Sequence, residues 1–427
     1  MKKLPGILIP VMIILLFTSI AYAEPTDITA ESSILIDAAS GKVLFEKDAD
    51  RKKMFPASTT KIMTAILALE MGDLEQVMTA SQEAVNDIGK DGSNIGIMAG
   101  EQIPLKNLLE ALLISSANET ANIIAENLCP TRQDFVDLMN KKAIELGAMD
   151  THFVNPCGAH EEEHYTTASD LAKIARYAMT LPKFREIVSM TRFQMPPTNK
   201  HDEWPVLATT NKLMQGDKND LYVINGVKTG YTVPAGHNLV SSAVNSSGME
   251  LIAVVMGVRN DGASDNVKKF SKELLDYGFN NFSKVSFQEN NKVYRSVGVK
   301  DAEDTLLLDL VTKGEASAIL SKDQTQQVKE IPHINDNITA PVNVGDKLGY
   351  VDYMIDGESV GTVDLIASRS VKQMPQAVIT DKAADLLDNT LIRIALGVAA
   401  LCIFFIILRK VLRIISRRVN ARKLNRF

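Results

Sequence analysis

The stretch PASTTKIMTA, residues 56–65, sets a proline just ahead of a helical pattern in which Ile62, Ile66 and Leu69 follow at steps of four and three. That spacing predicts a helix beginning near Ser58. Positions i and i+3 share a helix face, so the Lys61 amine can reach the Ser58 hydroxyl. Serine is a weak nucleophile until a neighbouring base takes its proton, and Lys61 is placed to do so. The same S-x-x-K also describes a helix cap followed by a solvated lysine, so the chemistry has to be decided by what surrounds it.

Upstream, SILIDAASGKVLFE (residues 33–46) arranges two apolar runs around Ser40-Gly41 and reads as a β-hairpin. Downstream, helical residues 105–113 lead into the polar string Ser115-Ser116-Ala117-Asn118, and helical character resumes through Ile124. Two more helices are expected around 135–146 and 169–179. From Leu221 the pattern changes to strands, LYVINGV, HNLVSSAV and ELIAVVMGV, separated by turn residues. Strands at both ends of a helical middle imply that first and last segments share one antiparallel sheet, giving an α+β domain over residues 33–282. Short alternating runs then follow, among them KVYRSVGV, TLLLDLV and the pair KLGYVDYMI and SVGTVDLIA joined across Asp356-Gly357. Asp-Gly between alternating runs is a hairpin signal, so residues 285–370 are expected to form a small all-β domain, with 371–389 as a stalk.

The two ends read differently. Lys2 and Lys3, an apolar run from 7 to 17 and small residues at Ala21 and Ala23 match a secretory signal over residues 1–23, cleaved before Glu24. Residues 391–408 are apolar except for Arg393 and are followed by eight basic residues, the pattern of one membrane-spanning helix with a cytoplasmic tail over 409–427. Of 427 residues, 45% are hydrophobic and 23% charged, which excludes a wholly disordered chain. The two ends hold 11 of the 46 basic residues and no acid, so the remainder carries 35 basic against 52 acidic residues, a net charge of −17. Such a surface has no basic face for nucleic acid. Cys402 falls in the span, Cys129 and Cys157 form no C-x-x-C pair, and the six histidines show no H-E-x-x-H spacing. A disulfide framework and a zinc peptidase both lack their signatures.

Two further motifs stand beside Ser58 and Lys61. Ser116-Ala117-Asn118 lies between helical stretches and Lys228-Thr229-Gly230 at the end of an expected strand, so S-x-x-K, S-x-N and K-T-G occur in that order. With PASTTKIMTA, SSANETAN (115–122), TNKL (210–213) and GVKTGYTVPAGHNL (226–239), the chain resembles the low-molecular-mass penicillin-binding proteins that act as serine-type D-alanyl-D-alanine carboxypeptidases. The resemblance implies a penicillin-recognising domain with an antiparallel sheet and a helical subdomain, then an all-β domain and a C-terminal anchor. It implies peptidoglycan stem peptides ending in D-Ala-D-Ala as substrate, β-lactams as covalent inhibitors, and no cofactor. By position, Ser58 is then the nucleophile, Lys61 its base and Ser116 a proton relay. Asn118 becomes a donor and acceptor for the substrate backbone, and Lys228 and Thr229 of the Lys228-Thr229-Gly230 strand hold the terminal carboxylate. The N–H groups of Ser58 and Tyr231 make the oxyanion hole, and Arg259 is a second carboxylate contact. Burial and the neighbouring charge of Lys228 are expected to disfavour the protonated form of Lys61.

One departure is Asn155-Pro156-Cys157-Gly158-Ala159, where the family often reads N-P-H-G-L. Cys157 there either tunes the cleft or fills a loop. Glu161-Glu162-Glu163 reads as a solvated run, His160, His164 and His237 lack a partner carboxylate at a telling spacing, and Trp204 fits a core or a lid. Two other readings stand beside the carboxypeptidase. A β-lactamase needs an activating carboxylate for deacylation that the acids at 161–163 do not supply in context. A non-catalytic β-lactam or muropeptide receptor has no need of a base, whereas Lys61, Ser116 and Lys228 are all present.

Overall fold

Strand β1, Ser32–Asp37, sends Ile34 and Ile36 into one hydrophobic core and Leu35 into another. That alternation places it in the interior of a sheet covered on both faces. In a computed structural model of the chain, β1 pairs with β2 (Val43–Lys47) on one side. The other strands, β3 (Tyr222–Thr232), β4 (Gly236–Asn245) and β5 (Glu250–Val258), complete an antiparallel sheet in the order β2-β1-β5-β4-β3. First and last segments therefore share one sheet, as the sequence pattern requires. The structure describes residues 24–424 except 26, 51–52, 90–91, 217–218, 260–261, 305–306 and 376–389. The expected signal at 1–23, most of the expected stalk and the last three residues of the tail lie outside the described residues.

One sheet face packs on helices α1 (Lys61–Met71), α2 (Leu105–Glu110), α3 (Asn118–Leu128), α4 (Arg132–Glu145), α5 (Ala168–Ala178) and α6 (Pro182–Val188). The sequence KIMTAILALEM of α1 has no polar stripe, and residues 61–68 are all buried, which makes it the central helix of this layer. Helices α4 and α5 begin at caps: Thr131 and Asp134 form a capping box, and the Thr167 hydroxyl accepts from Asp170 N. The opposite sheet face is covered by a helix not anticipated from the sequence, α7 (Ala263–Asn281). Its Val267, Phe270, Leu274 and Leu275, at steps of three, four and one, pack on Leu35, Leu251, Ala253 and Val255. Each such side chain stabilises by about 1.5–3 kcal/mol when fully buried.

The chain divides into two compact units, one running to Val285 and taking in Ile319–Gln326, the other formed by Ser286–Ala318 and the chain from Gln327. The second contains a five-stranded antiparallel sheet of β6 (Val293–Gly298), β7 (Leu307–Lys313), β8 (Lys329–Ile334), β9 (Lys347–Ile355) and β10 (Glu358–Ala367), in the order β6-β7-β10-β9-β8. Leu308, Leu310, Val351, Tyr353, Val363 and Leu365 form its core. Asp356 and Gly357 turn β9 into β10 with φ of 50° and 89°, the pair of positive values a two-residue hairpin needs. Helix α8, Thr390–Leu424, contains the 24-residue stretch Ile392–Ile415, of mean hydropathy 2.4, long and apolar enough to cross a membrane. It continues unbroken beyond the expected end of the span at Leu408.

Candidate active site

Residues Ala57–Thr60 form a 3₁₀ turn that runs directly into α1. In a 3₁₀ turn residues i and i+3 eclipse each other, so Lys61 lies over Ser58 more closely than an ideal α-helix would place it. The Lys61 Nζ is 2.9 Å from Ser58 Oγ, 2.6 Å from Asn118 Oδ1 and 2.8 Å from the Cys157 carbonyl oxygen. All three partners are neutral. Because α1 is apolar all round, its first residue is buried too, and burial lowers the Lys61 amine to about 8, against weaker upward pulls from Cys157 and Glu119. A neutral amine there donates to Asn118 and Cys157 and keeps its lone pair for the Ser58 proton.

Lys228 lies in β3, also fully buried, and donates to the Thr229 carbonyl at 3.1 Å and to no other described residue. Burial holds it well below the ordinary lysine range, and the charge of Lys61 pushes the same way. Repulsion between two buried amines is mutual, and burial is the larger cause of lowering in both.

Strand β3 is an edge strand, and the serine turn lies against it. A Cβ on Gly230 would stand 2.7 Å from Pro56 O and 3.2 Å from Ser58 N, so only glycine lets the strand approach the Ser58 turn so closely. Thr229 Oγ1 shares a 2.6 Å hydrogen bond with Thr210 Oγ1, which ties the TNKL segment to the strand. Tyr231 is 56% exposed, and its ring stacks on His237 with centroids 4.3 Å apart.

Ser116 closes the π-helical turn Ala111–Ser115 with φ 66°, a left-handed conformation that costs a non-glycine residue about 1–3 kcal/mol. The chain thereby doubles back to start α3 at Asn118. The Ser116 hydroxyl is joined by no hydrogen bond to Lys61, Lys228 or any other described residue. Asn118 donates through Nδ2 to Ile88 O at 2.6 Å and through its backbone N–H to Ser93 O at 2.7 Å. Its amide is therefore held on both sides by the protein.

Arg259 is held by partners at the turn after β3. Its guanidinium bonds Glu31 Oε1 at 2.6 Å and the carbonyls of Val233 and Pro234, so it braces the turn after β3 instead of standing free for a substrate carboxylate. His164 is buried, accepts from Val154 N through Nδ1 and hence donates from Nε2 to Thr60 Oγ1 at 2.8 Å; burial lowers it to about 3, a neutral structural histidine. Trp204 is buried against His201, a core residue, and residues 161–163 are exposed.

Sequence reasoning missed the part played by the Asn155–Ala159 loop. Asn155 Oδ1 accepts from the N–H groups of Gly158 and Ala159 at 2.7 and 3.0 Å, while Thr64 donates to Pro156 O at 2.5 Å. Gly158, at φ 85°, passes so near the serine turn that a Cβ would fall 1.9 Å from Ala57 O. The loop is thus pressed against the base of the turn, where Cys157 presents its carbonyl to Lys61. The Cys157 thiol is buried and pushed up by burial. A cavity of about 540 Å³ shares Asn155 and Pro156 with this loop but includes neither Ser58, Lys61 nor Lys228; its Arg132 is paired with Glu83 and Asp87.

A serine beside a buried amine, with a second buried amine on an adjoining strand, is an arrangement suited to acyl transfer onto the serine hydroxyl. Comparison with known proteins agrees. The family described as D-alanyl-D-alanine carboxypeptidase matches residues 19–260, and the one described as penicillin-binding protein 5, C-terminal domain, matches residues 282–373. The chain belongs to the D-alanyl-D-alanine carboxypeptidase family of serine peptidases. It is 29% identical over 384 residues to D-alanyl-D-alanine carboxypeptidase DacF of Bacillus subtilis, covering 87% of this chain and 95% of the relative. It is 30% identical over 353 residues to DacA of Haemophilus influenzae, covering 80% and 85%. Among solved structures, penicillin-binding protein 5 from Haemophilus influenzae superposes with a TM-score of 0.66 at 28% identity, over 82% of this chain and 100% of that one. PBP3 from Streptococcus pneumoniae gives 0.67 at 25%, over 81% and 100%.

Proposed function

We propose that this serine-type carboxypeptidase removes the terminal D-alanine of peptidoglycan stem peptides through an acyl-enzyme on Ser58. The observation that carries the reading is the Lys61 amine, buried among neutral acceptors 2.9 Å from the Ser58 hydroxyl. Lys61 takes the Ser58 proton as Oγ attacks the carbonyl carbon of the penultimate D-alanine. The N–H groups of Ser58 and Tyr231 receive the developing oxyanion, an arrangement supported by the close approach of Gly230 to Ser58 N. Collapse breaks the C–N bond, the proton returns to the leaving amine through Lys61 with Ser116 as relay, and water hydrolyses the ester to restore Ser58. Asn118 positions Lys61 and the substrate backbone. Full-length protein in detergent, given fluorescent penicillin and separately a D-Ala-D-Ala peptide, should become covalently labelled and release D-alanine. Labelling without D-alanine release would favour the receptor reading.

Lys228 and Thr229 hold the terminal carboxylate. A buried amine without an acidic partner gains most from an incoming anion, which favours its protonated form. The Lys228→Ala chain should lose peptide turnover by about 10²-fold, the worth of one charge-assisted bond of about 3 kcal/mol. A peptide amidated at its C-terminus should be a poor substrate for the unaltered chain. Equal processing of amide and acid would remove Lys228 from carboxylate recognition.

The apolar helix supports membrane anchoring. We further infer that residues 1–23 are a cleaved export signal, that residues 371–389 are a stalk, and that the basic residues beyond Leu408 stay in the cytoplasm with the catalytic domain outside. Removing the chain from Leu391 onward should release protein that keeps its turnover of soluble peptide, because every proposed site residue precedes Phe282. Loss of turnover in folded truncated protein would give the anchor a part in the site. Protease access to the tail from outside intact cells would reverse the topology.

A further inference from the structure

Glu119 follows Asn118 in the first turn of α3 and is almost completely buried. Its Oε1 accepts from Ile95 N at 2.7 Å and its Oε2 has no hydrogen-bond partner among the described residues; burial pushes its carboxyl up, against the N–H groups of Ile95, Glu119, Gly96 and Ile97, which favour the charge. A buried carboxylate oxygen without a donor costs free energy, about 1–3 kcal/mol or more, and calls for an explanation. The segment that Glu119 grips is the one whose Ser93 carbonyl receives the Asn118 N–H and whose Ser93 hydroxyl reaches Ser115 O at 3.3 Å. Asn118 Oδ1 in turn receives Lys61 at 2.6 Å. One carboxylate therefore stands behind the residue that aims the proposed base, and beside it in space without touching it.

We propose that Glu119 is a positioning residue for acyl transfer: it clamps residues 93–97 onto the start of α3, fixes the Asn118 amide, and supplies the nearby negative charge that balances the Lys61 amine. The inference rests on the reading of Ser58 and Lys61 given above. A carboxylate bonded directly to Lys61 would hold it protonated and end its use as a base. Set one residue away, behind a neutral amide, the charge acts through space and is only partly felt. The other groups that bear on Lys61 are the Cys157 thiol from the 155–159 loop and Lys228 from β3, and neither is a carboxylate.

The test is the pH dependence of acylation by fluorescent penicillin, measured on full-length protein with Glu119→Gln, Glu119→Asp and Glu119→Ala. Glutamine keeps an acceptor for Ile95 N and removes the charge, so the acid limb, where deprotonated Lys61 is lost, should move down by about 0.5–1 pH unit. Aspartate keeps the charge and should restore the limb. Alanine removes the clamp and should slow acylation about 10–100-fold, the scale of a misplaced reacting group. A limb unmoved in Glu119→Gln, or wild-type acylation in Glu119→Ala, overturns the proposal. If Glu119→Ala does not fold, the Gln and Asp pair still decides. Failure of the underlying reading shows separately, as penicillin labelling that survives Ser58→Ala.

Discussion

A Ser58→Ala chain is expected to take up no fluorescent penicillin and to release no D-alanine, while folding and melting as the parent does. Both activities need the same ester on Oγ, and among the described residues Ser58 is the hydroxyl that hydrogen-bonds the Lys61 amine. The fold should survive because Ser58 Oγ meets only Lys61 and carries no framework bond. Labelling retained in Ser58→Ala, read by in-gel fluorescence, would refute the assignment of the nucleophile.

The second large effect is expected of Lys61→Arg, which should slow acylation by about 10²–10⁴-fold. A guanidinium does not give up its proton in this pH range and cannot receive one from serine. Its fork is also wider than the cage made by Ser58, Asn118 and the Cys157 carbonyl. The parent should show a matching pH profile. With Lys61 lowered to about 8, the neutral amine is scarce below that pH, so acylation should rise about tenfold per unit up to near pH 8 and then level. Near-normal acylation by Lys61→Arg, or a rate flat from pH 6 to 9, would point to another base.

The parts of this architecture legible beforehand were those with a local period. The i, i+3 spacing of Ser58 and Lys61, the alternating strands after Leu221, and the Asp356-Gly357 turn all have their cause within a few residues, and all appear in the structure. Helix α7 also had a legible period in Val267, Phe270, Leu274 and Leu275, obscured by the polar residues between them. What could not be read were contacts that depend on distant chain. Nothing around Cys157 announces that its carbonyl will meet Lys61, since that follows from Gly158 fitting under Ala57, 101 residues away in sequence. The partners of Arg259 are of the same kind, since Glu31 reaches it from 228 residues away.

One of the three groups that cage Lys61 is main chain, and so are the groups that fix Asn118, which has a consequence for how this enzyme is interrogated. The Cys157 carbonyl holds the lysine, and the Ile88 and Ser93 carbonyls hold the asparagine that holds it. An alanine scan leaves all three oxygens in place, so it would report positions 88, 93 and 157 as dispensable to the proton transfer they frame. A map of this site drawn from side-chain substitutions alone would therefore be incomplete, and replacing single amides by esters is the chemistry that can read the missing part.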